Sequence, residues 1–162
     1  MSGTDSVTVS TLVAVDAATA FEVFTAETDL WWRRGPRFRH PGRPGALRFE
    51  PGEGGRLVIE DAAGVPEEIG RILVWKPAER LVFSWRAASF EPGQTTEVEI
   101  LFRAVAEGTR VTIEHRGFDA LPADHTARHG LGTGEAFLGM MGLCWADLFV
   151  AFGDHARRGR NE

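Results

Sequence analysis

The side chains best placed to do chemistry in this chain are a histidine and the carboxylates near it. His115 closes the run Val111-Thr112-Ile113-Glu114-His115, in which alternate residues are apolar. Side chains of a strand alternate between its two faces, so His115 shares the inward face of Val111 and Ile113. A buried imidazole needs partners for both ring nitrogens. Three roles are open to it: a hydrogen-bonded core residue, a group that orients a ligand, or a general acid or base. Glu60 and Glu68, on neighbouring strands, are the expected carboxylate partners.

Other constellations are weaker. His125 and His129 stand four apart beside Asp124, a spacing that on a helix lets two imidazoles share a metal. The stretch lacks the glutamate of a zinc-protease motif and reads as a connection, so no metal is expected. Gly130-Leu131-Gly132-Thr133-Gly134 precedes a helix but follows no strand and is followed by no lysine, which excludes a phosphate or dinucleotide loop. Arg33, Arg34, Arg37, Arg39, His40, Arg43 and Arg48 form a basic stretch beside Trp31 and Trp32. It reads as a solvated loop or as a surface for an acidic ligand or another protein. The net charge is -5, which speaks against a general nucleic-acid binder. Cys144 is the only cysteine and falls on an apolar stripe, so it behaves as a small hydrophobe. No nucleophile motif is present, and no cofactor is expected.

The elements that must position these residues follow from hydrophobic periodicity. A chain of 162 residues is expected to form one domain, 1–162. Period-two alternation predicts a strand over Val7–Val15, then a helix capped by Asp16 and a second short helix over Asp29–Arg34. Six strands are expected near 46–51, 55–61, 67–76, 79–87, 95–105 and 109–117, separated by tight Gly- and Pro-containing turns that imply antiparallel neighbours. From Gly132 to Arg157 the period becomes helical, with Phe137, Met141, Cys144, Leu148 and Phe152 on one stripe, widened by Leu138, Trp145 and Phe149. The fold expected is α+β: a curved antiparallel sheet of about seven strands wrapped around a long C-terminal helix. The first apolar run is too short to span a bilayer, and Met1–Ser6 has no basic leader; a cytoplasmic protein is expected.

The inward face is rich in large aromatics, among them Trp85, Phe102, Phe49, Phe83, Trp75, Phe137 and Trp145. They either fill a core or line a cavity. Gly134, Gly139 and Gly142 cost the long helix about 1 kcal/mol each against alanine. They remove bulk either to open a cavity or to let helix and sheet approach. Met140 and Met141 are adaptable liners of irregular apolar space.

The middle of the chain resembles the START-like, birch-allergen-like superfamily (SRPBCC), in the branch named for the activator of the heat-shock protein 90 ATPase. The residues that carry the resemblance are Glu53-Gly54-Gly55-Arg56, the run from Gly70 to Trp85 through Trp75-Lys76-Pro77-Ala78-Glu79-Arg80, and Thr96–Ile100. Gly108–Phe118, Leu30-Trp31-Trp32 and the Trp145-bearing helix extend it over nearly the whole chain. Lys76-Pro77 stands where the branch often has two prolines. The resemblance implies a helix-grip fold enclosing a hydrophobic cavity, in a superfamily that binds lipids, sterols, polyketides and other apolar molecules and includes cyclases and hydrolases. Bacterial members of the branch mostly lack an assigned activity. The chaperone-activating role also relies on an N-terminal domain that this chain does not supply, so it is not expected here. The resulting expectation is a small apolar or amphipathic ligand held by Trp32, Glu60, Trp85, Phe102, His115, Phe137, Met141 and Trp145. A cavity enzyme using His115 and a protein-interaction module at Trp31–Arg48 are the alternatives, in a monomer or homodimer.

Overall fold

Alternating valines and hydroxyl residues extend the first segment into β1 (Ser6–Val13). The strand stops two residues short of the expected end, at Val13, whose register partner is Thr109; beyond it the Thr109 hydroxyl donates to the Val15 carbonyl at 2.8 Å. Asp16 caps α1 (Ala17–Ala26) as expected, its carboxylate accepting from the Thr19 amide at 2.7 Å. The second helix differs from its predicted span. α2 (Thr28–Trp31) begins one residue after α1 has ended at its Glu27 cap, and Trp32 is already extended. Thr25 and Thr28 return their hydroxyls to the Phe21 and Phe24 carbonyls, and the Trp31 indole donates to the Val23 carbonyl, which folds α2 back on α1. The computed structural model describes residues 6–33, 45–85, 94–121, 124, 131 and 135–160.

The remaining strands are β2 (Ala46–Phe49), β3 (Arg56–Glu60), β4 (Pro66–Lys76), β5 (Arg80–Trp85), β6 (Thr96–Val105) and β7 (Gly108–Arg116). All pair antiparallel in the order β1-β7-β6-β5-β4-β3-β2, so the first two strands in sequence form the two edges. The chain crosses between those edges through α1 and α2. Register shifts at Leu57/Val58 and at Ile72/Val74 concentrate the curl of the sheet on β3, β4 and β5. Near the second shift the Ser84 hydroxyl accepts from the Arg71 amide. The strand parity predicted for β6 and β7 holds. Val98, Ile100, Phe102, Val111, Ile113 and His115 are buried, and on the outer face Arg116 reaches Glu97, Glu99 and Glu114.

α3 (Glu135–Arg160) is the long C-terminal helix, and with the curled sheet and the two short helices it completes a helix-grip fold. By length and composition Glu135–Arg158 is apolar enough to cross a membrane, with a mean hydropathy of 1.7 over its best window. Here it is the core helix of the domain. Trp145, Leu148, Phe149, Phe152 and Ala156 are buried with residues from α1, α2 and the sheet. The helix lies chiefly along β1, where Gly142 and Gly153 bring it close: a Cβ at these positions would stand 3.3 Å from Val7 Cγ2 and 3.4 Å from Val13 Cγ1. Of the two explanations for the helix glycines, close approach therefore applies at Gly142. Gly139 faces open space, and Gly134 lies outside the described residues.

Phe152 sits at the centre of this packing, with ring centroids 5.5 Å from Phe24 and 5.1 Å from Trp31 and no exposed surface. Phe152→Ala is expected to lower unfolding free energy by about 3–5 kcal/mol in urea denaturation. Leu143→Ala, at a helix position 66% exposed, is expected to change it by no more than about 0.5 kcal/mol. Equal effects would mean that the helix is not seated as described.

Candidate functional site

His115 is buried, and its partners are not the predicted glutamates. The Trp145 indole donates to His115 Nδ1 at 3.1 Å, and His115 Nε2 lies 2.8 Å from the Thr96 hydroxyl. An indole nitrogen only donates, so Nδ1 accepts and the ring proton of the neutral form sits on Nε2, directed at Thr96 Oγ1. The Thr96 hydroxyl can then turn to the Trp85 carbonyl, 3.4 Å away. One chain of hydrogen bonds thus joins α3, β7, β6 and β5. Burial pushes the His115 pKa down to about 3, so the ring is neutral near pH 7. Both nitrogens are engaged, which leaves no free lone pair or spare proton for acid–base work.

Glu60 and Glu68 are elsewhere because they stand on the far, curled part of the sheet. Glu60 pairs with Arg48 at 2.8 Å and Glu68 with Arg71 at 2.7 Å. Thr96, the true partner, escaped sequence reasoning although its parity with Val98 and Ile100 would have placed it inward.

The structure brings four of the expected site residues together. Trp32 stacks on Trp85 with centroids 5.8 Å apart and planes 12° apart, and meets Trp145 edge-on at 5.6 Å. His115 packs against Trp145 on one side and Phe118 on the other. Phe137 and Met141 belong to a second apolar cluster with Phe118 and Leu121. Phe102 lies elsewhere in the core, against Phe21 and Phe24, and Glu60 is apart from all of these. His115 therefore stands between two apolar clusters strung along one helix. Val7 packs against both clusters and is only partly buried, as are Val9, Trp75 and Trp85 against the first and Leu138, Met140 and Met141 against the second.

Trp31 and Trp32 are each only 4% exposed, so these indoles are core rather than a protein-binding surface. Two indoles offer too much apolar area to leave in water when α2 can turn them inward. Of the basic stretch, Arg33 donates to the Asp147 carbonyl at 3.0 Å and Arg48 is paired with Glu60. Arg34, Arg37, Arg39, His40 and Arg43 lie outside the described residues, as do His125, His129, Gly130 and Gly132–Gly134. Among the described residues no group of three His, Cys, Asp or Glu side chains could hold a metal ion. A groove of about 700 Å³, not expected from the sequence, runs between α1–α2 and β2, with Glu60, Trp75 and Pro77 on its far wall.

Comparison with known proteins agrees with this architecture. The family model described as Activator of Hsp90 ATPase homolog 1-like protein matches residues 14–140. No curated protein matches. A crystal structure of a Mesorhizobium loti protein is similar with a TM-score of 0.66 and 17% identity, covering 94% of this chain and 97% of that one. A protein from the dynemicin biosynthetic locus gives 0.64 and 18%, over 96% of this chain and 48% of that one. An anthrahydroquino-gamma-pyrone synthase, solved as a complex, gives 0.57 and 25%, over 93% of this chain and 96% of that one.

The depressed His115 pKa has a consequence for stability. Between pH 6.5 and about 3 the unfolded chain binds a proton at this ring that the folded chain refuses, so stability falls as pH falls through that window. The contribution amounts to about 2 kcal/mol between pH 7 and pH 5. Urea unfolding at those two pH values should show His115→Gln losing that much less stability on acidification than the wild type. Identical pH dependence in the two would contradict a buried neutral ring.

Proposed function

The chain belongs to the Activator of Hsp90 ATPase homolog 1-like family, and from that membership we propose that residues 1–162 act as one START-like module that binds a small, uncharged apolar molecule between the sheet and α3. The observation that carries this reading is the junction beside His115. Five apolar side chains that border the two clusters, Val7, Trp85, Leu138, Met140 and Met141, are left partly open. Guest contact falls to Trp85, Met141 and Phe137, with Trp32 and Trp145 as the wall behind them. Thioether side chains suit this because they repack around irregular apolar shapes.

His115 takes a different part from the one its sequence position suggests. With both nitrogens spent on Trp145 and Thr96, it orients the wall rather than the guest. A neutral ring in an apolar setting also favours a guest without a full charge. Binding without turnover is the reading that this geometry favours, since an acid–base role would need the ring nitrogens that the wall already uses. A flat aromatic body fits the parallel indole pair, and a similar chain, the pyrone synthase, is named for a fused-ring compound. Glu60 has no part in this site. Phe102, packed on Phe21 and Phe24, has none either.

Titration with the neutral fluorophore N-phenyl-1-naphthylamine tests the proposal. The wild type is expected to give saturable enhancement, Met141→Trp to weaken it tenfold or more, and Leu143→Trp, on the exposed side of α3, to leave it unchanged. No saturation, or equal loss in both variants, would overturn it.

A further inference from the structure

The groove along α1 and α2 is a second concavity, and its chemistry differs from that of the central site. One wall is the outer face of the two short helices from Ala18 to Leu30, and the other is β2 with Glu60, Trp75 and Pro77. Its floor is aromatic. Phe21 meets Trp75 edge-to-face at 5.1 Å, and Phe49 continues the surface. Behind that floor Phe21 packs on Phe102, and Phe49 packs on Phe83, so the floor backs directly onto the core. None of the residues proposed to contact the central guest lines it.

The groove is also built rather than incidental. The Asp29 carboxylate accepts from the Leu47 amide at 3.0 Å and fixes α2 to β2. At the C-terminal end of α1, Glu27 lies 2.8 Å from His155 of α3, and on the opposite wall Arg48 bonds Glu60. Leu30 remains 70% exposed and Trp75 is only partly buried, although both line the groove. The volume of about 700 Å³ falls in the range of small-molecule sites.

Charge decides the class of occupant. Among the described residues the lining carries four carboxylates, Glu22, Glu27, Asp29 and Glu60, against one guanidinium, Arg48. Glu60 is paired with Arg48 and Glu27 with His155, and the described lining stays net negative. A negative rim over an aromatic floor attracts a cation twice: by the carboxylates, and by the electron-rich indole of Trp75, which is only partly buried. We propose that this groove is a second binding site, for a small organic cation that carries its ammonium on an apolar or aromatic body.

The probe is benzyltrimethylammonium, added to the full chain and followed by the indole N–H resonance of Trp75, identified through Trp75→Phe. A saturable shift is expected, at least tenfold tighter than with phenylacetate or benzyl alcohol, and weaker in high salt. Glu22→Gln, at an exposed helix position, should loosen binding about three- to tenfold. Ala18→Trp should abolish it by filling the groove, and Met141→Trp, which blocks the central site, should leave it unchanged. Equal binding of the anionic or neutral probe, persistence in Ala18→Trp, or no saturation would overturn the proposal. So would a concentration-dependent dimer that Ala18→Trp dissociates, because the occupant would then be a second copy of the chain.

Discussion

The whole molecule is arranged around one constraint: α3 carries a single charged residue, Asp147, between Ala136 and Gly153, and so must be covered along much of its length. A flat sheet touches a helix along one line only. The curl introduced at the register shifts of β3, β4 and β5 lets more of the sheet face it, while the α1–α2 pair closes the end near Phe152. Rotation of the helix about its own axis is then fixed by a directional bond. The Trp145 indole donates to His115 Nδ1, and that bond in turn settles which nitrogen of the ring holds the proton and hence the role of Thr96.

That arrangement separates the interior into regions of different character. Toward the C-terminal end of α3, aromatic rings from α1, α2, β2 and β6 interlock with Phe149 and Phe152 and complete a dry core. Toward its N-terminal end, Phe137 joins Phe118 and Leu121 in a smaller cluster. The imidazole between them is the polar break in an otherwise continuous apolar seam. Its hydrogen bonds offset the cost of burying it, and losing one of them would cost about 1–3 kcal/mol. Its two ring bonds tie α3 to β6 and β7 at the place where the clusters meet.

Much of this was legible in the sequence, and the parts that were not have physical causes. Alternation placed Val98, Ile100, Phe102, Val111, Ile113 and His115 inward, because one face of β6 and β7 is solvated and the other packed, but the buried Thr96 and Thr109 were passed over because they are polar. The apolar stripe of α3 and the Asp16 cap were equally plain, being local signals. The order of the elements and the broad apolar face of the last helix already implied a curved sheet wrapped around it. The partner of His115 was misjudged because charge complementarity was used as a guide to distance. Glu60 is two strands away from β5, on the curled flank, and an uncharged threonine and an indole do the work instead. The α2 boundary was lost because Trp31 and Trp32 look alike in sequence but one ends the helix and the other leaves it extended to stack on Trp85. The α1–α2 groove joins residues 18 to 30 with residues 46 to 77, and no periodicity within either segment announces their meeting.

The central claim is that an apolar guest lies against the half-covered junction beside His115. The chain has only three methionines, Met1, Met140 and Met141, which makes a direct observation simple. With methionine methyls labelled with carbon-13 and an unlabelled naphthalene guest added, intermolecular nuclear Overhauser effects should run from the guest to the methyls of Met140 and Met141 and to the indole of Trp85, and not to Met1. Effects confined to Trp75 and Phe49, or absent altogether at saturating guest, would contradict it.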